Sequence, residues 1–143
     1  MKKKNVLFTA MHITPIQLRF NDIDQMGHVN NTVIMEFFDL AKYRYFRAAG
    51  IPVTPEEGDF CVMIVHIECD FQRQIHFHDD VKVSTSTSRL GNKSIEVMQQ
   101  VLVNEAVAAT CKTVLAGYSR ATAASAPIPD DLKEQVRLYD TRS

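Results

Sequence analysis

Apolar and polar residues repeat in two different periods along this chain, and the change of period marks its elements. His12 to Phe20 alternates loosely and is rich in Ile, Leu and Phe, which predicts a first strand. Asn21 to Asn30 breaks the pattern with Asn, Asp, Asp, Gly and Asn, the residues of turns. From Asn31 to Ala49 nothing interrupts a helix, and Gly50 followed by Pro52 supplies its stop. Apolar residues from Val33 to Phe46 cover most of that helix's circumference, so other structure has to wrap it. Beyond it the period falls to two. Phe60 to Phe71 puts Cys61, Met63, Val65, Ile67, Cys69 and Phe71 on one face, the other ending in His66, Glu68 and Asp70. Val81 to Leu90, Ser94 to Val103 and Val107 to Arg120 read as three further strands, with turns at Gly91-Asn92 and Asn104-Glu105. Pro129 to Tyr139 predicts a short helix with Leu132, Val136 and Tyr139 as a weak stripe. One long helix against an antiparallel sheet of about five strands is α+β architecture. Its open edge predicts pairing with a second copy.

Composition narrows the function classes. The 143 residues predict a single domain over 1–143, with its core at about 12–120. Sixteen Lys+Arg against seventeen Asp+Glu leave a net charge of −1, which provides no broad footprint for nucleic acid or an anionic membrane. Apolar runs such as Cys61–Val65 are far shorter than the roughly 20 residues of a membrane span, so a soluble protein is expected. The basic start, Lys2-Lys3-Lys4, precedes only Val6-Leu7-Phe8 before Thr9 and His12 intervene. It reads as a solvated arm rather than a secretory signal. Three cysteines, an odd number, argue against a disulfide framework and for a reducing cytoplasm.

The chemistry concentrates in Arg19-Phe20-Asn21-Asp22-Ile23-Asp24-Gln25-Met26-Gly27-His28-Val29-Asn30-Asn31. This places two carboxylates, a Gly, a His and two Asn at the entrance of the long helix. A helix start presents unpaired N–H groups and a positive dipole end. Gly27 permits close backbone approach and a positive φ. Such donors suit a polarised carbonyl, and a nearby carboxylate suits attack on that carbon or activation of water. The same residues also read as an N-cap, Asn30 or Asn31, with turn aspartates before it. Spacing leaves both readings open.

Asp-x-Asp-x-x-Gly-His-Val-Asn-Asn before an aromatic-rich helix resembles the hotdog-fold acyl-CoA thioesterases of the 4-hydroxybenzoyl-CoA thioesterase-like family. The likeness continues through Ile67-Glu68-Cys69-Asp70-Phe71, Asp79-Asp80-Val81-Lys82-Val83 and Ser88–Ser94, and so covers about 12 to 120. The chain departs from the pattern at Gln74 and His78, where many relatives carry a Pro and a Gly. The resemblance implies a hotdog fold, homodimeric or homotetrameric, with active sites at the subunit interface, hydrolysing an acyl-CoA to free acid and CoA. It implies that Asp24 is the catalytic carboxylate, as nucleophile or general base, and that the Asn31 N–H polarises the thioester carbonyl. No metal or other cofactor is demanded, because a thioester is already activated and CoA is part of the substrate.

Other residues receive smaller roles. Asp22 is expected to order the turn or pair with Arg19, and His28 to shape the pocket or bond the turn. Arg89, Lys93 and Ser94, around a tight turn, are candidates for CoA phosphates. His76 and His78 alternate as metal ligands would on a strand, but lack a third and fourth partner at recognisable spacing. Two rivals remain: a hydratase or dehydratase on the same fold, whose usual Asp-x-Asn-Pro-x-His and His-Phe-Pro-Gly patterns are missing, and a non-catalytic acyl-thioester-binding module.

Overall fold

The structure, a computed structural model, describes residues 11–142, so the basic arm at residues 1–4 and the Val6-Leu7-Phe8 patch lie outside the described residues. Strand β1 (His12–Ile16) and a 3-10 turn (Phe20–Asp22) lead to helix α1 (Asn31–Ala49). After a second 3-10 turn (Pro55–Glu57) come β2 (Phe60–Phe71), β3 (Val81–Leu90), β4 (Ser94–Val103), β5 (Ala106–Ser119), the short β6 (Ala124–Ser125) and helix α2 (Asp130–Asp140). All pairings are antiparallel, in the order β1-β3-β4-β5-β2, with β6 added beside β5. This is the expected α+β arrangement, with six strands among the described residues instead of about five. Among the described residues no helix is long and apolar enough to cross a membrane.

The helix boundaries follow from local chemistry. Asn30, in extended backbone, caps α1 by accepting the Thr32 N–H at 2.9 Å, and Gly50 ends it at φ +87°. The first strand is shorter than expected because the chain turns into the 3-10 segment. There the buried Asp22 accepts the Arg19 N–H at 2.8 Å and the Arg19 guanidinium at 3.0 Å, which is the pairing expected of Asp22.

The single apolar face anticipated for β2 does not form. Its register against β5 shifts between Ile64 and His66, leaving Val65 as an extra residue. Before this bulge Val62 and Ile64 lie opposite the buried Gly117 and Leu115; after it Ile67, Cys69 and Phe71 lie opposite the buried Thr113, Cys111 and Ala109. Cross-strand partners share a face, so Cys61 and Met63 face away from the side that Ile67, Cys69 and Phe71 share. A bulge inserts one residue into a two-residue period and reverses every position beyond it.

Helix α1 buries Ile34, Phe37, Phe38, Ala41, Tyr45 and Phe46 against the sheet, while Leu40 and Tyr43 stay exposed. The core beneath it is divided. One cluster gathers Ile34 and Phe38 with Val83, Val101 and Cys111; the other gathers Tyr45 and Phe46 with Val97, Leu115, Leu132 and Val136. Between them along the strands runs a buried polar layer of Thr85, Gln99 and Thr113. Gln99 donates to the Phe38 carbonyl at 3.0 Å and to Thr85 Oγ1 at 3.1 Å, whereas its Oε1 has no partner among the described residues. Helix α2 docks on the second cluster. There the buried Tyr45 hydroxyl donates to Asp140 Oδ1 at 2.7 Å, and Asp140 Oδ2 accepts the Thr87 N–H at 2.8 Å. Burial raises the Asp140 carboxyl above its ordinary value.

Candidate active site

The loop before α1 is a miniature hairpin. Asn30 N–H donates to Asp22 O at 3.2 Å, Ile23 bridges Val29, and Asp24 N–H donates to His28 O at 2.9 Å. Gln25, Met26 and Gly27 form the tip, and Gly27 at φ +90° makes the return possible. A Cβ there would meet nothing within 4 Å, so it is the dihedral rather than space that asks for glycine. Val29 N–H donates to Ile75 O at 2.8 Å and anchors the hairpin to the segment after β2.

This pairing sets Asp24 opposite His28. Asp24 Oδ1 accepts the Met26 N–H at 2.9 Å, and Oδ2 lies 3.9 Å from His28 Nδ1. Both side chains are about three-quarters buried. Among the described residues no acceptor meets the Asn31 N–H, the first donor of α1; the next is taken by the Asn30 cap. Asn31, His28, Ile34, Phe71 and Gln72 line a cavity of about 200 Å³ at the helix start. Asp24 is not in its wall and reaches it through His28. The structure thus joins Asp24, Gly27, His28 and Asn31 in one loop-and-helix unit, with His28 and Asn31 facing the cavity.

The other candidates fall elsewhere. Arg89, Lys93 and Ser94 flank the β3–β4 turn, and Ser94 lies level with Ala116 while Phe71 lies level with Ala109. Seven residues of strand β5 separate the two levels, roughly 23 Å, so one chain does not bring this turn to the helix start. His76 and His78 sit in a turn that Asp79 closes by accepting the His76 N–H at 2.8 Å, which removes the strand geometry their alternation suggested. Among the described residues no group of three or more His, Cys, Asp and Glu is placed to hold a metal. Cys61 is buried, as expected for packing.

The pattern missed two features. One is the directly opposed pair Cys69 and Cys111, with Sγ atoms 2.9 Å apart and Met35 Sδ 3.5 Å from Cys69. Burial, and then Cys111, push the Cys69 thiol up to about 12, which disfavours the thiolate. The other is a second cavity of about 530 Å³ between α1 and β2, lined by Lys42, Tyr43, Phe46, Val62, Ile64 and Leu115 among others. The charge of Lys42 is hidden inside a helix pattern otherwise dominated by apolar residues.

Known proteins share this architecture. A thioesterase from Thermus thermophilus, solved with coenzyme A and zinc, is 31% identical, covers 94% of this chain and 97% of its own, and superposes with a TM-score of 0.79. A 1,4-dihydroxy-2-naphthoyl-CoA hydrolase from Synechococcus elongatus is 24% identical over 124 residues, 85% of this chain and 91% of that protein. YsmA from Bacillus subtilis is 24% identical over 80 residues, so the match spans 56% of this chain and about half, 53%, of YsmA. The family model described as "Thioesterase-like superfamily" matches residues 18–136, from the start of the loop that carries Asp24 to the middle of α2. The chain therefore belongs to the thioesterase-like superfamily and is a thioester hydrolase of the hotdog fold.

Proposed function

We propose that this protein hydrolyses an acyl-CoA to a free acid and CoA, with Asp24 as nucleophile or general base and the Asn31 N–H on the thioester carbonyl. The observation that carries this reading is the first donor of α1, unclaimed among the described residues and belonging to a residue that lines a cavity beside the Asp24–His28 pair. The donor stabilises charge that develops on the carbonyl oxygen, and the helix dipole adds to it. Gly27 lets the loop return so that the carboxylate and the donor share one turn of chain. The thiolate of CoA leaves readily, so the chemistry asks for no metal or organic cofactor. The test is a free-thiol assay across short, long and aromatic acyl-CoAs. Release of CoA thiol is expected for at least one class. Enoyl-CoA hydration without thiol release supports a hydratase, and acyl-CoA-dependent melting shifts without turnover support a binding module.

A second route is favoured by one observation: His28, not Asp24, lines the cavity. In it Asp24 orients the imidazole and His28 takes the proton from water. The rate–pH profile of His28→Gln separates the two. A lower rate with a profile of unchanged shape supports direct action by Asp24; loss of one limb of the profile assigns the proton to His28.

The reading includes a second copy of the chain. β2 is an edge strand whose Met63, Ile64, Val65, Ile67 and Phe71 are exposed, and a long apolar edge of this kind invites another strand. Two β2 strands paired antiparallel about a two-fold axis set the Cys61 end of one beside the Phe71 end of the other. That pairing brings the partner's β3–β4 turn toward the site, which restores Arg89, Lys93 and Ser94 as contacts for CoA phosphates. Val65, 62% exposed, is the position to test. Val65→Lys is expected to leave the isolated fold intact and to shift the mass measured by light scattering toward 16.2 kDa, the mass of one chain. A wild-type protein already at that mass sinks the paired arrangement. The three free cysteines fit a reducing cytoplasm, the location proposed here.

A further inference from the structure

The second cavity contains a buried cation. Lys42 projects from the middle of α1, its side chain is 4% exposed, and it lines the space of about 530 Å³ together with the apolar Phe46, Val62, Ile64 and Leu115 and the charged Asp39 and Arg120. Among the described residues its one ion partner is Asp39, at 3.5 Å. Charge-assisted hydrogen bonds run at about 2.7–2.9 Å, so this contact is long, and an ammonium carries three donors. Asp39 itself is 68% exposed. Hiding an ammonium with one long ion pair as its compensation is unfavourable unless a further acceptor completes its shell.

The cavity lies on the same seam as the helix start. α1 and β2 run alongside each other: Asn31 and Ile34 share one cavity with Phe71 and Gln72, Met35 touches Cys69, and Phe46 shares the other cavity with Val62 and Ile64. Eleven residues of helix separate Asn31 from Lys42, about 16 Å of rise, and a lysine on a helix leans back toward the N-terminus. The Met35–Cys69 contact lies between the two cavities, so an acyl chain laid from a thioester carbonyl at Asn31 along α1 would pass that contact before its far end met the charge of Lys42.

We infer that Lys42 is a specificity residue, and that the acyl group this protein accepts carries a carboxylate at its far end. The inference rests on the acyl-CoA hydrolysis proposed above. The ammonium supplies two unused donors to the carboxylate, and the apolar walls hold the chain between. An uncharged acyl group of the same length fills the walls but leaves the ammonium with Asp39 as its one ion partner among the described residues.

The matched pair of decanoyl-CoA and its ω-carboxylated counterpart sebacoyl-CoA tests this. kcat/KM is expected to favour sebacoyl-CoA by at least about tenfold, equivalent to ~1.4 kcal/mol. Lys42→Met should bring that ratio to about one, and Lys42→Arg should keep it above one. Equal use of both substrates by the wild type, or a preference that survives in Lys42→Met, overturns the inference. Melting adds a readout that a structural role would move differently. Lys42→Met replaces an under-compensated buried charge, so its Tm should match or exceed that of the wild type. A large fall in Tm in both Lys42 variants means that Asp39 holds the ammonium for the fold, and also overturns it. Equilibrium binding of the two thioesters to the Asp24→Asn protein separates the two proposals. Tighter, Lys42-dependent binding of sebacoyl-CoA without wild-type turnover keeps the site and removes the hydrolysis; turnover with equal binding does the reverse.

Discussion

Asp24→Asn should lower kcat on every acyl-CoA that the wild type cleaves by about 10²–10⁴-fold while leaving the fold in place. The substitution is nearly isosteric, and an amide oxygen can still accept the Met26 N–H that Asp24 Oδ1 accepts at 2.9 Å. Asn30, the N-cap, is untouched, and Asn31 still offers its donor. What disappears is the negative oxygen needed to attack the carbonyl, to deprotonate water, or to orient His28 from 3.9 Å. Single-turnover rates and melting temperatures on the same preparations check this. A folded variant with wild-type turnover removes Asp24 from the mechanism in all three forms. An acyl adduct trapped on the peptide containing Asp24 in the wild type would identify direct attack.

The largest effect on stability is expected from Phe38→Ala. The Phe38 ring is fully buried in the cluster that holds the first half of α1 to the sheet, and its carbonyl accepts from Gln99 Nε2. Removing a buried phenyl ring loses its transfer free energy and leaves a cavity, together about 3–5 kcal/mol. For a chain of this size that lowers Tm by roughly 10 °C. Denaturant titration measures the change directly, and a cost under about 1 kcal/mol would mean that α1 is held elsewhere. The site depends on this packing, because the Asn31 donor is only as well aimed as the helix behind it.

Much of this arrangement was legible in the residues. The helix came with an Asn cap, a Gly stop and an uninterrupted apolar body, all signals that act within a turn of chain. The turn residues between Asn21 and Asn30 marked a loop, and the resemblance carried by Asp-x-Asp-x-x-Gly-His-Val-Asn-Asn singled out its candidate residues. That the loop closes on itself, with Ile23 bridging Val29 and Asp24 facing His28, was not legible, since no alternating pattern announces a hairpin this short. Nor was the reversal within β2. Cys61 through Phe71 alternates without a break in the residues, and only pairing with β5 shows that Val65 is extra.

The division between local and long-range information has one physical origin. Caps, stops and periodicity are settled by neighbours along the chain, and they account for the element order, the α+β class and the loop that carries Asp24, Gly27 and His28 up to the helix start at Asn31. Strand order, the bulge at Val65, the place of the β3–β4 turn far from the helix start and the concealment of Lys42 depend on which distant segments pack together. Lys42 reads as one more charge on a helix until Val62 and Ile64 are laid beside it; an ammonium's surroundings are a property of the assembled fold, not of its neighbours in sequence.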